Sequence, residues 1–130
     1  MTASRRLPNG ERGQSTLELA LCLPLVVVVL AAVAETGLLF GDQVRLWHAA
    51  REAARSAVVD PDPDAPRHAV MSAGLEGAEV SVTPSGTARS VGEPLTVRLD
   101  LRPGGRVPLV GMLFRSIELH AEATMRIELP

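Results

Sequence analysis

The sequence contains no tyrosine and no lysine, and only one tryptophan, two phenylalanines and one cysteine. Without aromatic bulk, its 46% hydrophobic content is carried mainly by Ala, Val and Leu, so any core outside a membrane is thin and built from small pieces. The single cysteine, Cys22, excludes an internal disulfide. It lies inside an apolar run, where it reads as a small side chain facing lipid or a neighbouring helix. Leu21 before it is too bulky for a lipoprotein signal. Thirteen positive side chains, every one Arg, stand against fifteen negative ones, for a net charge of -2. That balance gives no reason to expect a nucleic-acid partner.

Reactive constellations are also lacking. His48, His68 and His120 are scattered without metal-ligand spacing, and no Ser sits in a nucleophile elbow. Gly104-Gly105 lacks the Lys and helix start of a phosphate loop. The sequence therefore points away from an enzyme, with no cofactor, no metal and no small-molecule substrate expected. The acids of Asp60-Pro61-Asp62-Pro63-Asp64-Ala65-Pro66 alternate as calcium ligands do. Ala65 stands where such a loop needs Gly, however, and Met71 where it needs a bidentate Glu.

What is present begins with residues 19–34, LALCLPLVVVVLAAVA, uncharged over about 24 Å of helix. Extension through Glu35-Thr36-Gly37 to Leu38-Leu39-Phe40 gives about 33 Å, enough to cross a hydrocarbon core of about 30 Å with modest tilt. A chain of 130 residues has room for only one small domain besides this segment, and too few other elements to cover an all-round apolar helix. Membrane insertion is therefore expected. Arg5, Arg6 and Arg12 precede the run, opposed only by Glu11, which places the N-terminus in the cytoplasm and the rest of the chain across the membrane. Pro24, one or two turns into the helix, removes a backbone hydrogen bond and can bend it.

Beyond Phe40, the apolar residues Val44, Trp47, Ala50, Ala54 and Val58 recur at three- and four-residue steps, predicting that the helix continues to about residue 58. Asp42 with Arg45 and Glu52 with Arg55 are spaced to pair on its solvated face, for about a few tenths of a kcal/mol each. Trp47 is placed either to anchor in the membrane interface or to pack under the domain. The Asp-Pro run ends the helix in a stiff turn, followed by a short helix over about 66–72 that stops near Gly74. Residues 78–83, 95–101 and 117–129 read as strands, the second with strict apolar-polar alternation. Pro84-Ser85-Gly86 and Pro103-Gly104-Gly105 break them. The expected fold is α+β and pilin-like: a long N-terminal helix, membrane-spanning in its first half, packed on a small antiparallel sheet.

The cluster Arg12-Gly13-Gln14-Ser15-Thr16-Leu17-Glu18 resembles a prepilin-peptidase site. In that family cleavage follows a Gly, and a Glu is the fifth residue of the mature chain. Here Gly13 would be the last leader residue, Gln14 the first mature residue and Glu18 the fifth. Gln14 departs from the Phe usual in major type IV pilins. Physically, a carboxylate at the edge of an apolar helix needs a counter-charge, and cleavage would supply the Gln14 α-amino group on the same or a neighbouring subunit. The plainer reading has Ser15 or Thr16 as an N-cap and Glu18 as a first-turn acid favoured by the helix dipole.

Read through to residue 58, the leader, the apolar stretch, the acid Glu35 near its end and Ala49-Ala50-Arg51-Glu52-Ala53-Ala54-Arg55 resemble the TadE-like family. The C-terminal IELHAEATMRIEL is similar to the closing strand of these proteins. The resemblance implies a structural minor pilin or pseudopilin of a tight-adherence, Flp-type pilus or related secretion machine. Its partners would be the membrane, a prepilin peptidase and other pilin or pseudopilin subunits. The resulting organisation is a leader at 1–13, a transmembrane segment at 14–40, the exported continuation at 41–59, a turn at 60–65 and a small exported domain at 66–130. Gly13 and Gln14 are the processing candidates and Glu18 the assembly candidate, with Pro24, Glu35 and Trp47 as interface or packing positions. Two alternatives stand: an unprocessed, membrane-tethered binding or accessory module, and a domain released by conventional cleavage after Ala34.

Overall fold

A computed structural model describes residues 11–85 and 90–128. Most of the expected leader, including Arg5 and Arg6, therefore lies outside the described residues, as does Gly86 of the second break. The elements run α1 (Glu11–Val59), α2 (Ala65–Ser72), β1 (Glu79–Thr83), β2 (Pro94–Leu101), a 3-10 turn (Gly111–Phe114) and β3 (Leu119–Arg126).

Helix α1 is 49 residues long with Pro24 inside it, about 74 Å from end to end. Ser15 and Thr16 both lie within the helix, which overturns their reading as an N-cap. The Val26–Val29 run has modest helix propensity, but in a lipid core only a helix satisfies every backbone group of a single segment. The most apolar stretch of α1 has a mean hydropathy of 2.7, and none of it is buried by the other described residues. Such a helix fits a single-pass membrane protein.

The second half of α1 carries the core. Leu46, Ala49, Ala50, Ala53, Ala54, Ala57 and Val58 are buried against the sheet and α2, whereas Val44 and Trp47 remain about half exposed. The apolar face expected from Val44 and Trp47 onward is thus rotated towards the alanines. Alanine lets the helix axis approach the sheet closely, and a narrow stripe of them buries what larger side chains on the neighbouring face cannot. Of the two expected surface pairs, no Glu52–Arg55 ion pair forms among the described residues, and both side chains are exposed. Helix α1 ends as Asp60 N–H donates to the Ser56 carbonyl at 2.9 Å. The Asp60 and Asp62 carboxylates then accept from the N–H groups of Asp62 and Asp64 at 2.9 and 3.0 Å, closing successive Asx turns.

Helix α2 begins with Pro66 in its first turn. It ends at Gly74, whose φ of +76° turns the chain so that buried Leu75 returns to the core. The three-stranded antiparallel sheet has the order β1-β2-β3. Its register sets Val97 between Val82 and Ala123, and Leu99 between Val80 and Ala121, so one face is uniformly apolar. Leu95, Val97 and Leu99 are wholly buried beneath α1. The opposite face is polar, with Thr96 and Thr124 hydroxyls 2.8 Å apart and Arg98 paired to Asp100 at 3.2 Å. Strand β3 is shorter than expected at both ends. Ile117 N–H bonds back to Phe114, and Ile127 N–H reaches the Glu93 carbonyl at 3.0 Å outside the ladder.

Because the Ala53 side chain is fully buried where α1 meets the sheet, Ala53→Leu is expected to lower stability by about 1–3 kcal/mol through overpacking. Arg51→Leu on the exposed side serves as the near-neutral control, with both read by chemical denaturation in detergent micelles.

Candidate functional site

The buried stripe of α1 does not stop at Leu46. Four residues earlier it contains Asp42, and seven before that Glu35, which is only 1% exposed. At 3.6 residues per turn these positions continue one line down the helix. Two carboxylates would be costly there without partners. The partners come from the long connection between β2 and β3, which leaves the sheet and runs along α1 towards the apolar half.

Each Glu35 oxygen accepts a backbone hydrogen bond from that connection. Arg106 N–H donates to Oε1 at 3.0 Å and Val107 N–H to Oε2 at 2.8 Å. Two turns further along α1, the Arg106 guanidinium forms an ion pair with the buried Asp42 carboxylate. Asp42 therefore does not pair with Arg45 on a solvated face, as its spacing suggested, because burial against the connection delivers a better-placed cation. The Gln43 side-chain amide donates to the His120 carbonyl at 2.9 Å, tying the start of β3 to the same region of the helix.

The connection holds its shape through two glycines. Val107 accepts from Gly111 N–H at 2.7 Å, and this turn brings Gly105 against Gly111 so closely that a Cβ on Gly105 would lie 2.0 Å from the Gly111 oxygen. Gly105 is thus required by close backbone approach rather than by turn geometry alone. The clamp is closed: two acids on the helix, two amides and a guanidinium on the connection, and a backbone crossing that admits no side chain.

The other singled-out residues lie elsewhere. Gly13, Gln14 and Glu18 occupy the first turns of α1, where the Gln14 side-chain amide donates to Glu18 Oε1 at 3.3 Å. About 26 Å of helix separates Glu18 from Glu35. Pro24 and Cys22 are exposed along the apolar stretch, and Trp47 sits beside Ala121 and Arg98 on the body. Glu35 is thus joined with Asp42, Arg106 and Val107, none of which the sequence singled out as a site. A signal did exist: 35, 42, 46, 49, 53 and 57 share one helical phase, so both acids fall on the body-facing stripe. Among the described residues, no group of three or more His, Cys, Asp or Glu side chains is placed to hold a metal ion.

Glu35→Ala leaves two amides without acceptors, and an orphaned buried donor costs about 1–3 kcal/mol. The expected outcome is faster hydrogen exchange at Arg106 and Val107, with protection of the β2 and β3 ladder amides retained. Arg106→Ala, which removes the guanidinium but keeps both backbone donors, should loosen the Asp42 end and preserve protection at Val107.

Residues 13–55 match the model of a family described as TadE-like protein. No curated protein and no solved structure matches the chain. The matched segment runs from the Gly before the apolar stretch, through both clamp acids, to the Ala-Arg helix of the core. The chain's similarity to the TadE-like family thus covers the part of α1 that carries the apolar span, the two clamp acids and most of the packing stripe.

Proposed function

We propose that this protein is a structural minor pilin or pseudopilin, cleaved by a prepilin peptidase between Gly13 and Gln14, that acts in assembling a tight-adherence type pilus or related secretion apparatus. The TadE-like match supports association with such a pilus. The carrying observation is Glu18 itself, an acid at the mouth of an apolar helix that the other described residues leave uncovered, one turn from Gln14. A side chain of Gln14 already reaches Glu18 in the intact chain, so an α-amino group created at the same residue would be within reach of that carboxylate or of its counterpart on a neighbour. With no lysine in the sequence, that group would be the only primary amine of the mature chain. Pairing it with Glu18 would set the axial register of helices entering a bundle.

In this reading the basic N-terminal flank stays cytoplasmic and the small domain is extracytoplasmic at the plasma membrane. The sheet and α2 would present the surface that distinguishes this subunit from its neighbours. An unprocessed, membrane-tethered accessory module would keep the same span and body but have no use for a Gly placed five residues before an acid.

Intact-mass measurement of protein extracted from native membranes separates these readings. Loss of residues 1–13 is expected; their retention selects the tethered module, and a chain starting at Glu35 selects conventional cleavage. Glu18→Ala should insert into membranes normally yet lose most of its co-purification with partner pilin subunits, and undiminished co-purification would sink the assembly role.

A further inference from the structure

The segment that covers Glu35 also carries the most exposed large apolar side chains among the described residues of the body. Leu109 is 82% exposed, Met112 68% and Leu113 77%. They follow directly on Arg106 and Val107, so the clamp fixes their level along α1. Phe114 and Ile117, just after them, line a groove of about 270 Å³ with Leu39 and Phe40 of the helix. If Glu18 marks one edge of the hydrocarbon, about 30 Å of helix reaches residue 38. The connection therefore meets α1 where the span leaves the membrane.

Three observations converge on that level. Leu39 and Phe40, at the end of the exposed span, share a groove with Phe114, which exposed Met112 and Leu113 directly precede. Leu109 is held at a φ of +72°, a region costly for a branched side chain and usually left to Gly or Asn, yet the residue is Leu and points away from the core. Arg115, exposed, follows at once and stands where a guanidinium can meet lipid phosphate while its stem lies along apolar surface.

We propose that residues 109–113 form a second membrane contact, inserting Leu109, Met112 and Leu113 into the outer interface of the same bilayer that α1 crosses. The body then rests on the membrane at two points, the helix and the tip of the connection, and the clamp at Glu35 joins them. The contact is interfacial. It adds apolar burial at headgroup depth and fixes which side of the body faces the lipid. It rests on the reading of α1 as a membrane span, and its test is arranged to tell the two apart.

Full-length protein is reconstituted into vesicles of phosphatidylcholine and phosphatidylglycerol, with a bimane label at one cysteine: native Cys22, or Met112→Cys or Arg55→Cys in a Cys22→Ser background. Met112 and Arg55 are both exposed, so neither change disturbs the core. Lipid-borne nitroxides at headgroup depth should remove most of the emission at position 112, nitroxides just below the headgroups that at position 22, about 6 Å inside the Glu18 edge, and aqueous iodide that at position 55. Iodide quenching at 112 equal to that at 55, with Cys22 still in lipid, overturns the contact and leaves the span standing. Iodide access at both 22 and 112 overturns both. A label at 112 shielded from iodide and from lipid nitroxides alike identifies a protein neighbour on the patch and overturns the lipid assignment.

Discussion

The carboxylate of Glu35 can be buried only because two backbone amides meet it, and much of the body's arrangement follows from that requirement. A charge on a helix that is otherwise apolar for several turns has no solvent of its own. The amides of Arg106 and Val107 supply the missing hydration, one to each oxygen. To bring them there, the chain must leave β2, travel along α1 and return to begin β3. The course of the connection between the two strands is thereby tied to one side chain outside the core. Asp42 repeats the arrangement with a side-chain cation, so that Arg106 meets both acids, one with its amide and one with its guanidinium.

The two halves of α1 solve opposite problems with one backbone. The first presents bulky Leu and Val in every direction, which suits a surrounding of lipid or of other helices. The second confines its contacts to a stripe of Ala, where small side chains allow a flat apolar sheet face to approach closely. The acids mark the change between them. They are polar enough to end the lipid-facing stretch and, once clamped, buried enough to begin the packed one.

Much of this architecture is written in local patterns. The apolar periodicity and the alternation from Leu95 to Leu101 gave the C-terminal end of the helix and the limits of the central strand within a residue, because periodicity in such segments reports directly on which surfaces are covered. The phase of the packed face was harder to read. Alanine contributes little contrast between faces, so the larger Val44 and Trp47 drew the expected stripe to one side of the true one. The clamp was illegible for a different reason. Its partners lie 71 and 72 residues apart, and Pro103-Gly104-Gly105 has the local chemistry of a simple turn. Nothing in that motif announces that the backbone crosses itself at Gly111, and nothing near Asp42 distinguishes a distant Arg106 from the adjacent Arg45.

A single unbroken rod shared by span, clamp and core has a consequence for how such a chain can change. Each residue inserted in or deleted from an α-helix turns everything beyond it by about 100° and shifts it by about 1.5 Å. Between Glu35 and Leu46 that rotation would carry the acids off the stripe that faces the body, however conservative the inserted residue. Substitutions on the outer side of this stretch leave the geometry untouched. Its composition is free to drift while its length is held fixed.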